Sequence, residues 1–167
     1  MNDKKYLILI SALTMIILVG GVIFISKSTN TSQAKLVASQ KAKAETIEPT
    51  SYDWGNIPMN KGNVTKIFTI MNNGTDPLKF SNIKTSCHCT KAHLTIDGKD
   101  SPNFGMSGVS DWVGELAPGG KAKLTVIFDP AFHGPQGIGP VTRFVSVETN
   151  ARGNEKITYT LTGTVVK

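Results

Sequence analysis

Two cysteines and three histidines are all that a chain of 167 residues holds of these types. That scarcity excludes a disulfide-stapled scaffold, and it excludes a zinc ribbon, which needs two spaced cysteine pairs. Aromatic residues make up 7% of the chain, and no basic patch is interleaved with them. The formal net charge of +6 therefore does not read as a nucleic-acid surface. Half of that surplus lies in the first fifty residues, where six Lys face three acids. No long amphipathic helix is written after residue 50, which removes α/β enzyme architectures. Cys87 and His133 could approach each other, but no further nucleophile, base and acid set accompanies them. A thiol–disulfide oxidoreductase would more often carry Cys-x-x-Cys at a helix start, where the dipole favours the thiolate. The chain is accordingly expected not to be an enzyme.

The beginning of the chain is of a different kind. Lys4 and Lys5 precede residues 6–25, an uncharged run dense in Leu, Ile, Val and Met that Lys27 closes. About 20 apolar residues suffice to cross a bilayer core as a helix. A cleaved signal is the rival reading, but the nearest small-x-small pattern, Ala42-Lys43-Ala44, lies far beyond the run. No cysteine near its end offers a lipid site. The expectation is a retained signal anchor with residues 1–5 as a short tail, 6–25 as the transmembrane span and 26–50 as a linker. Those linker residues are mostly Ser, Thr, Gln, Ala and Lys with no aromatic, a composition that does not fold alone. Lys27, Lys35, Lys41 and Lys43 bring the positive-charge rule close to a tie. The short N-terminal tail and the Thr-, Asn- and Gly-rich body favour export. The expected location is the cell membrane, single-pass, with the C-terminal domain extracytoplasmic.

From residue 51 to 167 the chain turns to short alternating runs separated by Gly, Pro, Asn and Asp. Ala122, Leu124, Val126 and Phe128 share one face of a strand while Lys121, Lys123 and Thr125 point away. Ile157, Tyr159, Leu161 and Gly163 alternate with Lys156, Thr158, Thr160 and Thr162, and Val145 with Val147 mark the strand before. Residues 64–71, 78–84, 90–96 and 112–116 supply further strands, and Asn73-Gly74 marks a turn. The fold expected is all-β: an immunoglobulin-like β-sandwich of about seven to eight strands, preceded by one N-terminal transmembrane helix.

Both cysteines and one histidine fall inside Thr85-Ser86-Cys87-His88-Cys89-Thr90. Thiolate and imidazole select Cu(I) or Zn, and a bent backbone lets both sulfurs of Cys-x-Cys face one ion. Two other readings stand beside metal binding. The cysteines can be small packing residues at a strand end, or they can form a tight, reducible local disulfide. Counting strand crossings places more soft ligands at the same pole. Asp97-Gly98 is a hairpin signal that returns the chain toward Met106, and the loop 129–140 emerges there with His133. The candidate metal set is thus Cys87, Cys89, Met106 and His133, with His88 as a variable fifth, and Cu(I) suits this thiolate, thioether and imidazole mixture. A single miscounted crossing would separate them. Met106 can equally fill a core gap, His133 can cap its loop, and His93 is expected to face solvent or a neighbouring strand.

Tyr52-Asp53-Trp54-Gly55-Asn56-Ile57, Phe68-Thr69-Ile70-Met71-Asn72-Asn73-Gly74, Pro77-Leu78, the cysteine motif, Leu116-Ala117-Pro118-Gly119-Gly120 and Val126-Ile127-Phe128-Asp129-Pro130 resemble, in order, the bacterial domain-of-unknown-function 1573 family. The resemblance runs from about residue 52 to the end. It implies an immunoglobulin-type sandwich related to major-sperm-protein-like domains, in proteins that are typically exported or membrane-tethered, and it implies no activity. The family commonly has Cys-Gly-Cys-Thr where this chain has His88 in the middle, and this chain is longer between the motif and Leu116. Two functional expectations follow from different classes. One is a membrane-tethered module that handles or senses copper. The other is a structural or adhesive module that binds an envelope protein, with structural cysteines; Trp54 or Trp112 could anchor it, although their strand context favours the core.

Overall fold

The computed structural model describes Tyr6, Ile8 and residues 10–18, 34–108 and 110–167. The chain divides into two compact units, Met1–Ser32 and Gln33–Lys167. In the first, Tyr6, Ile8 and residues 10–18 are helical and expose Ile10, Leu13, Met15, Ile16, Ile17 and Leu18. Among the described residues no helix is long and apolar enough to cross a membrane. Residues 7, 9 and 19–25 of the expected anchor lie outside them.

Among the described residues the second unit contains ten strands. They are β1 (Ala44–Thr46), β2 (Ser51–Pro58), β3 (Val64–Asn72), β4 (Leu78–Thr85) and β5 (Thr90–Ile96). There follow β6 (Lys99–Asp100), β7 (Gly114–Leu116), β8 (Lys121–Phe128), β9 (Gly139–Thr149) and β10 (Lys156–Val166). One sheet runs β1-β3-β8-β5-β6 and the other β2-β10-β9-β4-β7. Two layers with inward-facing apolar residues make the expected sandwich. Ala122, Leu124, Val126 and Phe128 of β8 and Ile157, Tyr159 and Leu161 of β10 are all buried, as their alternation requires. Phe68 and Tyr159 meet across the interior with ring centroids 4.4 Å apart. Each such side chain, fully buried, contributes about 1.5–3 kcal/mol.

The strand number exceeds the expected seven to eight because short pairings were not written as apolar runs. β6 and β7 are two and three residues long. β1 corrects the expected domain boundary. The sequence predicts a flexible linker over residues 26–50, yet Ala44, Glu45 and Thr46 pair with Asn72, Met71 and Ile70 of β3. Ser39 also bridges Ala151, and Ala42 and Ala44 are buried in the core. Alanine gives little hydrophobic signal in a sequence, but it fills narrow space at a sheet edge without loss of side-chain entropy.

Two local irregularities position the functional end. Asp97 and Gly98 both take positive φ, 49° and 75°, the tight hairpin geometry that matches strand twist. The chain then returns along β5, with Phe104 bridging Ala92. In β4 the register against β9 shifts between Ser81 and Lys84, and Asn82 sits there at φ 48°. One extra residue on β4 makes this a β-bulge. The Asn82 amide fixes it by donating 2.7 Å to Glu148 Oε2.

Candidate thiol and imidazole site

β4 ends at Thr85 and β5 begins at Thr90, so the cysteine motif is the turn that carries the chain from one sheet to the other. Thr85 holds this turn closed. Its Oγ1 is 3.0 Å from the carbonyl oxygens of both Cys87 and Thr90, to which it donates, and the Thr90 amide donates 3.1 Å to the Cys87 carbonyl. Asp129 N–H donates 2.9 Å to the Cys89 carbonyl, tying the end of β8 to the motif.

The two cysteines have different surroundings. Cys89 is buried with Ile57, Phe128 and Val165, and Cys87 is half-buried at the edge of that cluster. Their Cα atoms are 5.2 Å apart, within the span of a disulfide, and their sulfurs stand at disulfide distance. The Cys89 amide donates to Cys87 Sγ at 3.3 Å. Cys87 Sγ also lies 3.4 Å from Nε2 of His133. The ligand atoms of Cys87, Cys89 and His133 all fall within 4.8 Å of one another. Three soft donors at that spacing can surround one small ion when the cysteines are reduced.

The loop after β8 brings His133 into place. Ala131 N–H bonds the Asp129 carboxylate at 2.9 Å, Gly134 N–H bonds the Ala131 carbonyl at 2.9 Å, and Gly134–Gly137 forms a short 3-10 turn. A Cβ at Gly137 would meet the His133 Cβ at 3.1 Å, so the turn folds tightly behind the imidazole. The Phe132 ring stands edge-on to it at 5.0 Å.

Of the five expected ligands, the structure brings Cys87, Cys89 and His133 together. His88 turns outward, with Nε2 3.4 Å from Ser107 Oγ, and does not join that cluster. Met106 lies on the same side of the sandwich, because Gly105 accepts from the Thr85 amide and Ser107 meets His88. Its side chain is half exposed. His93 lies on β5 opposite Thr125 of β8.

Sequence reasoning missed Arg143. Its Nε–H donates to Cys89 Sγ at 3.1 Å, and its guanidinium carbon lies 5.3 Å from the Phe128 ring centre. Burial pulls this guanidinium below the ordinary arginine value, though arginine stays cationic at neutral pH. A signal was available. Arg143 shares the alternation of the buried Val145 and Val147, which aims a charge inward from the first half of β9.

Residues 45–99 match the family described as protein of unknown function (DUF1573). The matched segment includes both cysteines and stops short of His133 and Arg143. A protein of unknown function from Porphyromonas gingivalis W83 is similar in structure, with 19% identity and a TM-score of 0.56 over 77% of this chain. The match covers 49% of that protein, so the chain spans about half of its length. The ASH/PapD-like domain 7 of human CEP192 matches 83% of this chain and 96% of its own at 16% identity and a TM-score of 0.47. The YadV chaperone matches 74% of this chain and 52% of its own at 8% identity and a TM-score of 0.45. No curated protein matches the chain. What the similarity to the bacterial structure carries is the fold.

Proposed function

We propose that this chain is a membrane-tethered, extracytoplasmic sandwich domain whose reduced Cys87 and Cys89 hold Cu(I) together with His133. The observation that carries the reading is the convergence of the two sulfurs and the imidazole nitrogen within 4.8 Å. Charge favours a monovalent ion. Two thiolates leave Cu(I) with one net negative charge and Zn(II) with none, and the Arg143 guanidinium at Cys89 Sγ offsets the former. The span proposed to tether the domain is residues 6–25, and metal is proposed to bind only after the pair is reduced. The domain itself is proposed not to be an enzyme.

The test is titration of the reduced full chain, in detergent and without oxygen, with Cu(I) against a chromogenic chelator. One-to-one competition should be lost in Cys87→Ser/Cys89→Ser and weakened about 10- to 100-fold in His133→Ala. A wild-type chain that never competes with the chelator overturns the reading.

The disulfide distance between the sulfurs favours a second reading, in which the cysteines are structural and the domain docks an envelope protein. Unchanged partner recovery with the Cys87→Ser/Cys89→Ser chain would support it, and recovery lost with the sulfurs would count against it.

A further inference from the structure

We propose that Cys87 and Cys89 also form a thiol–disulfide exchange pair of fixed direction, in which Cys87 is attacked and Cys89 leaves, and that its substrate is a cysteine thiol carried on a peptide or protein. The proposal concerns the oxidised pair, which binds no metal, and stands independently of the copper reading.

The direction follows from the different surroundings of the two sulfurs. Cys89 is 3% exposed and packed among Ile57, Phe128 and Val165, whereas Cys87 is reached from solvent beside the exposed His133. An incoming thiolate must approach along the S–S axis from outside, and only Cys87 offers that approach. The leaving sulfur then carries the negative charge. Cys89 Sγ already accepts Nε–H of Arg143 at 3.1 Å, and the guanidinium is held against Phe128. A cation fixed beside a sulfur favours the thiolate, which is the role a helix N-terminus fills in Cys-x-x-Cys proteins. Arg143 supplies on a strand what the sequence lacked in the form of a helix.

The steps balance as follows. A substrate thiolate bonds Cys87 Sγ, the Cys87–Cys89 bond breaks, and its electron pair departs with Cys89 Sγ as a thiolate beside Arg143. A second substrate thiolate attacks the substrate sulfur of the mixed disulfide and releases Cys87. Two substrate thiols are oxidised to one disulfide, the cysteine pair gains two electrons, and the two protons shed by the substrates pass to the cysteines or to water. The rim points to a peptide-borne thiol. Met106, Phe132 and Phe144 are exposed on the segments that flank the motif, Phe132 beside His133 and Met106 beside Ser107, and Phe144 and Ser86 bond each other twice, Ser86 N–H to the Phe144 carbonyl and Phe144 N–H to Ser86 Oγ, both at 2.9 Å. Apolar neighbours of a cysteine can cover these side chains, whereas a small charged thiol cannot.

The oxidised full chain, free of metal, is exposed to a limiting cysteine peptide with leucine and phenylalanine neighbours, or to glutathione, then quenched in acid and mapped by mass spectrometry. Adduct on Cys87 should exceed adduct on Cys89 by at least about tenfold, and Arg143→Gln should slow its formation about tenfold. In Cys89→Ser with thionitrobenzoate on Cys87 the leaving group is no longer Cys89, so Arg143→Gln should leave the peptide's attack within about twofold. Adduct chiefly on Cys89, or an Arg143→Gln effect that is absent or equal in both chains, overturns the direction. The peptide should react at least about fivefold faster than glutathione at equal thiolate concentration. Equal rates overturn the peptide assignment.

Discussion

The two ends of the sandwich use polar side chains in opposite ways. At the end where β3 stops and β4 starts, Asn72 is fully buried. Its Nδ2 donates to the Asp76 and Leu116 carbonyls at 2.9 and 3.1 Å, while its Oδ1 accepts from the Gly74 amide at 3.0 Å and the Lys43 amide at 3.5 Å. Asn150 does the same for the Lys79 amide at 2.8 Å and the Pro77 carbonyl at 3.2 Å. These amides stand in for a backbone ladder where the chain must turn. At the other end the side chains of Cys87, Cys89, His133 and Arg143 face one another instead. Saturated polar groups hold architecture, and groups with donor or acceptor capacity left over are free for chemistry.

Substitutions at the two ends should separate these roles. Asn72→Ala strands several buried carbonyls and amides at once and should lower unfolding free energy by about 3 kcal/mol in urea titration. Cu(I) binding by the folded fraction should persist. Cys87→Ser/Cys89→Ser closes no long loop and should cost only about 1–2 kcal/mol in the same titration, while abolishing metal competition. If the two variants lose stability equally and both retain chemistry, the contrast between the ends collapses.

Two further substitutions probe the region between the ends. Thr69 donates its amide to Glu48 at 2.7 Å and its hydroxyl at 3.0 Å. Burial pushes the Glu48 carboxyl up, but these bonds and the Lys66 charge together hold it below the ordinary glutamate value. A carboxyl lowered by folding gives stability that is complete above its unfolded value, about pH 4.3, and lost as pH falls through the lowered value. Urea midpoints measured from pH 7 down to pH 3 should fall in that acid window, less steeply in Glu48→Gln. The smallest effect is expected at Tyr159, whose hydroxyl is buried with no hydrogen-bond partner among the described residues. Burial raises its ionisation far above the ordinary tyrosine value. Tyr159→Phe removes an uncompensated hydroxyl and should leave stability unchanged or raise it by up to about 1 kcal/mol, read as a shift in melting temperature.

Long strands were legible in the sequence because their burial is periodic. β5 and β8 have the expected limits, and the alternation in β10 names its buried side. His133 was reachable by counting crossings, since each strand that spans the sandwich reverses the end at which the next loop emerges. β1 was not legible, because Ala-Glu-Thr has no apolar run and owes its place to the partner strand. Arg143 stayed hidden for another reason. Its meaning depends on Cys89, 54 residues earlier, and no local pattern links a lone arginine on a Thr- and Val-bearing strand to that sulfur. Pairing between sheets is tertiary information, and the residues of the site come from three separate stretches of chain.

The extra residue at Asn82 acts as a frameshift in the alternation of β4. Ahead of it Leu78 and Phe80 point inward, and beyond it Ile83 and Thr85 do, so the parity of the interior changes from even to odd. In the turn that follows, Cys89 is buried, Cys87 half-buried and His88 exposed. In the unshifted phase Lys84, rather than Ile83 and Thr85, would take the inward position at the end of β4. A single left-handed residue three positions ahead of the motif therefore sets the face on which the chain leaves β4 and enters the turn that holds both sulfurs.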